Sequence, residues 1–133
     1  DLGKTLIPSD IINKDGPLTK KEKEIIKKHP VDSYMILKKI DEFSEISKNV
    51  LHHHEKWDGS GYPDGLEGEE IPLLSRMIAI TDTYDALISD RSYNNSINKS
   101  EAIKELRKYS NIQFDPKLVD EFIDIVKKDA NEF

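Results

Sequence analysis

The sequence predicts an all-α domain, a helical bundle of about six helices, and three observations carry that expectation. Apolar residues recur at spacings of three and four through most of the chain, the period of a helix with one covered face. Helix-start signatures stand at Thr19-Lys20-Lys21-Glu22, at Pro30 and at Asp115-Pro116, where a capping oxygen or a proline suits the first turn. Four of the six glycines, Gly59, Gly61, Gly65 and Gly68, crowd into one stretch with Pro63, which reads as a single long loop between helical segments.

Taken in order, Ser9-Asp10 is expected to cap a short helix that ends before the turn at Asp15-Gly16-Pro17. The capping box opens a helix from about Lys20 to His29 with Ile25 and Ile26 inward. Pro30 starts the next, with Val31, Tyr34, Met35, Leu37 and Ile40 as its stripe. A third, from about Phe43 to His54, carries Phe43, Ile46, Val50, Leu51 and His54 on its inner side. After the glycine loop a long helix from about Leu73 to Ser89 presents Leu74, Met77, Ile78, Thr81 and Ile88 on one face, with Asp82 and Asp85 on or beside it. Ser100 is expected to cap a helix through Tyr109 with Ile103 and Leu106 inward. Asp115-Pro116 then opens the last helix, with Leu118, Val119, Phe122, Ile123 and Val126 on one stripe.

Composition narrows the chemistry. The hydrophobic fraction is 36% and the charged fraction 35%, enough regularly spaced aliphatic residues for a folded core. No apolar run approaches the roughly 20 residues that cross a bilayer, and no signal-peptide pattern stands at the N-terminus, so a cytoplasmic domain without direct membrane insertion is expected. The net charge of −6 argues against a nucleic-acid polymer as partner, since such binding is driven by basic surface. With no cysteine in the chain, a transition metal has only His and carboxylate to bind. The first residues carry no Gly/Ser/Pro-rich linker and read as the inside of a motif. The expectation is one domain over residues 1–133 whose N-terminal helices are not in this chain.

The chemistry concentrates in His52-His53-His54-Glu55-Lys56-Trp57-Asp58-Gly59-Ser60-Gly61-Tyr62-Pro63, which holds three of the four histidines and the only tryptophan. Adjacent helical residues point about 100° apart, so His53 and His54 would serve two ions, or one ion at a frayed helix end; the plain alternative is a solvated polar end. His29 sits at a helix junction, where a capping or core role competes with ligation. Asp82 lies mid-helix beside an apolar face, where a carboxylate has to be paired, protonated or metal-bound. With Asp1 these residues form a cysteine-free N/O set suited to Fe, Mn or Ni and, less selectively, Zn. Lys4, three residues from Asp1, can neutralise phosphate oxygens or protonate a leaving oxygen. Arg91 is a candidate for planar contact with phosphate or guanine, and Arg76 for a salt bridge to Glu55 or the Asp58 loop.

These blocks, in order and spacing, resemble a known family. Asp1-Leu2-Gly3-Lys4, Lys28-His29-Pro30, the run from His53 to Pro63, Ile80-Thr81-Asp82-Thr83-Tyr84-Asp85-Ala86-Leu87, Arg91-Ser92-Tyr93 and Gln113-Phe114-Asp115-Pro116 together resemble the HD-GYP domain, a subgroup of the HD phosphohydrolases. The resemblance implies an all-α bundle and a metal-dependent phosphodiesterase that opens cyclic di-GMP to the linear dinucleotide or to GMP, using two or more divalent ions. It implies that Asp1 is the aspartate of the His-Asp doublet, that His29, His53, His54 and Asp82 are further ligands, and that Lys4 stands near the scissile phosphate. Asp58, Gly61, Tyr62, Pro63 and Arg91 would belong to the substrate pocket, and a sensor or receiver domain would precede this one in the full-length protein. The chain departs from the pattern after Arg91, where Ser92 and Asn94-Asn95 replace the usual proline and basic residues, and His52 has no assigned role. Two alternatives stay open: a signalling or interaction module that keeps the fold without turnover, and an HD phosphohydrolase for another cyclic dinucleotide or nucleotide.

Overall fold

The computed structural model describes residues 1–89 and 96–131, the last three of these by their backbone alone. The described residues are helical, with no strand among them beyond two isolated bridges, Asp58 to Glu67 and Ser110 to Phe114. A 3-10 turn at Leu2–Leu6 leads into the single-turn α1 (Ser9–Ile12), then α2 (Lys20–Ile26), α3 (His29–Leu37), α4 (Ser44–Leu51), α5 (Leu73–Ile88), α6 (Lys99–Lys108) and α7 (Pro116–Asn131). None of these is long and apolar enough to cross a membrane.

The caps explain the boundaries. Thr19 Oγ1 accepts from the Glu22 N–H at 3.3 Å while Glu22 Oε2 accepts from the Thr19 N–H at 2.6 Å, the expected capping box of α2. For α6 the cap is Asn98 with Glu101, two residues before the expected Ser100, because an amide oxygen two positions upstream reaches the free Glu101 N–H. Asp115 caps α7 as expected, its Oδ1 accepting from Lys117 N–H at 2.9 Å. Its other oxygen takes Arg76 Nη1 at 2.7 Å. Arg76 therefore ties α5 to the start of α7, correcting the expected bridge to Glu55 or the Asp58 loop.

The densest core lies among α5, α6 and α7, where Ile80, Leu106, Phe114, Val119 and Ile123 are buried and Ala79, Tyr84, Ile103, Leu118 and Phe122 pack around them. The inward stripes expected for α6 and α7 are found. Those of α3, α4 and α5 are corrected: Val31, Met35, Phe43, Ile46, Leu74, Met77 and Ile78 are exposed, and the buried contacts of these helices come from His29, Ser33, Ser47, Ser75 and Ile80. Small polar residues let these helices approach closely. Ser33 Oγ accepts from the Gly3 N–H and donates to the His29 carbonyl, each at 2.7 Å, and a Cβ on Gly3 would run into that carbonyl oxygen. The 3-10 turn is thus pressed onto α3, and Asp1 is carried to the side of His29.

Candidate metal centre

Three imidazoles and one carboxylate converge where the first turn of α3, the chain start and the end of α4 meet. Asp1 Oδ1 lies 3.2 Å from His29 Nε2 and 3.7 Å from His53 Nε2, and His54 Nε2 lies 3.1 Å from His29 Nε2. One ligand atom from each of Asp1, His29, His53 and His54 falls within 4.8 Å of the others. Helix α4 ends at Leu51, so His53 and His54 occupy a turn and escape the 100° divergence of helical neighbours. Their ring centroids are 4.0 Å apart.

The backbone fixes which nitrogen faces inward. A carbonyl only accepts, so His29 Nδ1–H donates to Ile26 O at 2.7 Å and His53 Nδ1–H to Val50 O at 2.6 Å, leaving both Nε2 lone pairs aimed at the cluster. Burial lowers the pKa of all three imidazoles. For His54 burial, joined by the neighbouring His53 and His29, takes it down to about 3. The rings are therefore neutral at ordinary pH, and two Nε2 lone pairs confront a carboxylate oxygen with no hydrogen between them. Such a set of acceptors fits a cation, and its N/O composition suits a divalent transition ion.

Lys4 Nζ reaches Asp1 Oδ2 at 2.9 Å and closes one side of the cluster. Asp82 is exposed rather than set against a covered face, which corrects the expected burial. It borders a cavity of about 160 Å³ with Asp1, Val50, His53 and Ile78, and a second of about 230 Å³ with His53, His54, Tyr62, Thr83 and Gln113. Tyr62 stacks on His54 at 5.1 Å and 20°, with Lys27 Nζ 5.6 Å from its ring, and burial raises its phenol pKa. Gly61 packs on the Glu55–Lys56 backbone with no room for a Cβ, and the Tyr62–Pro63 peptide is cis. Asp58 faces its own turn: Oδ1 accepts from Ser60 N–H at 3.0 Å and Ser60 Oγ at 2.7 Å, and these bonds lower its pKa. His52 turns away, its Nδ1–H on Lys48 O and its Nε2 2.9 Å from Asp64 Oδ2. Arg91 lies outside the described residues. Lys27, Thr83 and Gln113 border the site without a role having been assigned to them from the sequence; Thr83 and Gln113 stand within the quoted blocks but bear neither an imidazole nor a carboxylate, and Lys27 is one lysine among many.

A profile of the HD domain family matches residues 1–118. The chain belongs to the HD domain family. It is of the HD-GYP type that its sequence blocks resemble. A cyclic di-GMP phosphodiesterase of Pseudomonas aeruginosa is 42% identical over 95% of this chain and 30% of its own length. A 3′3′-cGAMP-specific phosphodiesterase of Vibrio cholerae is 40% identical over 94% of this chain and 26% of its own length. Among solved structures, an HDGYP protein of Bdellovibrio bacteriovorus superposes with a TM-score of 0.71 at 21% identity, covering 96% of this chain and 40% of that one; at that identity it speaks for the fold. The chain thus spans between a quarter and a third of the length of these two curated relatives.

Proposed function

We propose that the protein containing this HD domain is a metal-dependent phosphodiesterase that hydrolyses cyclic di-GMP to the linear dinucleotide or to GMP. The observation that carries the reading is the cluster of neutral imidazoles around Asp1, with Tyr62 stacked on one of its members. Asp1, His29, His53 and His54 would hold divalent metal, with Asp82 closing the site from α5; Fe or Mn suits the N/O donors best, and Ni or Zn less well. Bound there, such ions supply Lewis-acid charge to a phosphate and lower the pKa of water.

The chain's own residues do the rest. Lys4, held at Asp1, neutralises phosphoryl oxygens and has a proton to give the leaving oxygen. Tyr62, its phenol kept protonated, offers an aromatic face and a hydrogen-bond donor beside the cluster. Gly61 and Pro63 shape that wall. Asp58 serves it by holding the turn through Ser60, and Arg91 is the proposed contact to phosphate or guanine. A nucleotide second messenger as substrate would put this domain in the cytoplasm, governed by a sensor or receiver domain elsewhere in the full-length protein.

The name of the Vibrio cholerae relative favours a second reading, 3′3′-cGAMP as the preferred substrate. Incubating the Mn²⁺-loaded full-length protein with each cyclic dinucleotide and separating the products tests both. Linear product from cyclic di-GMP, abolished by His53→Ala, is expected. Product from 3′3′-cGAMP alone would shift the reading to that substrate, and no product from either would overturn it.

A further inference from the structure

Directly after the histidine turn stands a buried carboxylate that the chemistry above does not use. Glu55 is 3% exposed. Its Oε1 accepts from the backbone N–H groups of Asp64 at 2.7 Å and Gly65 at 3.2 Å, and its Oε2 from that of Leu66 at 3.1 Å. Hydrogen bonds to a charged acceptor are the strong ones, and three of them commit both oxygens to the far side of the glycine loop. That commitment argues against metal ligation, although Glu55, His52 and Asp64 also bring ligand atoms within 4.8 Å of one another.

The same segment is stitched to the histidine turn at three more points. Tyr62 N–H donates to the His54 carbonyl at 3.2 Å, Gly61 rests on the Glu55–Lys56 backbone, and His52 Nε2 meets Asp64 Oδ2 at 2.9 Å. Of these ties only Glu55 is a fully buried side chain, and it binds the residues that follow Pro63. The Tyr62 ring, stacked on His54, lies between the two fastened ends.

We propose that Glu55 is a positioning residue: its carboxylate clamps the turn at residues 64–66 so that Tyr62 stays stacked on His54 and keeps its place in the cavity beside Asp82, Thr83 and Gln113. The choice of substrate in its test rests on the proposed function; the clamp itself does not. Loosening the clamp lowers the fraction of molecules with Tyr62 in place, and the apparent affinity for substrate falls by that fraction.

The test compares wild type, Glu55→Gln and Glu55→Ala in the Mn²⁺-loaded full-length protein by amide hydrogen exchange at residues 64–66, Mn²⁺ stoichiometry, and KM and kcat for cyclic di-GMP. Glutamine keeps one acceptor oxygen and sets an NH₂ against the remaining N–H, so it loosens the clamp without emptying the site and covers the case in which Glu55→Ala does not fold. Faster exchange at residues 64–66, unchanged Mn²⁺ stoichiometry and a KM raised on the order of tenfold, with kcat changed less, are expected for Glu55→Gln. An unchanged KM with freed amides, or loss of Mn²⁺, overturns the proposal. Should wild type ignore cyclic di-GMP, the proposed reaction fails, and exchange with Mn²⁺ stoichiometry decides for Glu55. Protection that Glu55→Gln abolishes while Mn²⁺ stays bound supports the clamp, and protection it leaves intact overturns it.

Discussion

At Gly3 and Gly61 the absence of one carbon decides how closely the chain packs around the histidine cluster. Gly3 lets the chain start approach the His29 carbonyl, and Gly61 lets the Tyr62 loop lie on the backbone that follows His54. Gly61→Ala has backbone on every near side, so it is expected to cost about 1–3 kcal/mol, as overpacking does, with the urea midpoint of unfolding as the measurement. A midpoint equal to wild type would mean that the loop does not need this contact. One set of Asp1, His29, His53, His54 and Asp82 was legible in the sequence as implied by the resemblance of their blocks; ligand atoms of the first four lie together, and Asp82 borders the cavity beside them. Glu55 stood in the same block as His53 and His54, yet its role was not legible. A carboxylate that accepts from the backbone of residues 64–66 leaves no mark on those residues' identities, since any residue but proline has the N–H.

At the scale of elements, the ends of helices were easier to read than their faces. Thr19 and Asp115 signal their caps through the free N–H groups they satisfy, and such local bonds depend only on neighbours in sequence. The apolar stripes of α4 and α5 follow helical period too, but Ile46, Leu74 and Ile78 are exposed. Period reports that a helix has an apolar side and is silent about what covers it. The link between α5 and α7 was misassigned for a related reason: Arg76 has several acidic neighbours in sequence, and only the fold brings Asp115 to it. Arg76→Met leaves the Asp115 carboxylate, 4% exposed, without its cation, and breaking a buried pair costs about 3–5 kcal/mol. Calorimetric unfolding is expected to register a loss of that size. A change within error would show that the α7 cap alone satisfies Asp115.

For the whole molecule, three neutral imidazoles make stability depend on acid. The native pKa values of His29, His53 and His54 lie below the ordinary value of 6.5, that of His54 at about 3. Between those limits the unfolded chain binds more protons than the native one, so stability falls as pH falls. The full contribution is present above about pH 6.5 and is lost progressively below it as the unfolded histidines charge. Urea midpoints taken from pH 7.5 down to 4.5 are expected to decline most steeply below pH 6.5. A flat profile would contradict the neutral cluster. Divalent metal should raise the midpoint and make its decline below pH 6.5 steeper, since it keeps protons off the native ligands while the unfolded histidines still charge. The central claim, that Asp1, His29, His53 and His54 form one metal centre, is tested most directly by titrating the metal-free protein with Co²⁺ and following its visible absorption. The account predicts saturable bands in wild type that are lost in a His29→Ala/His54→Ala variant whose far-ultraviolet circular dichroism remains helical. Bands of wild-type strength in that variant, or none in wild type, would contradict it.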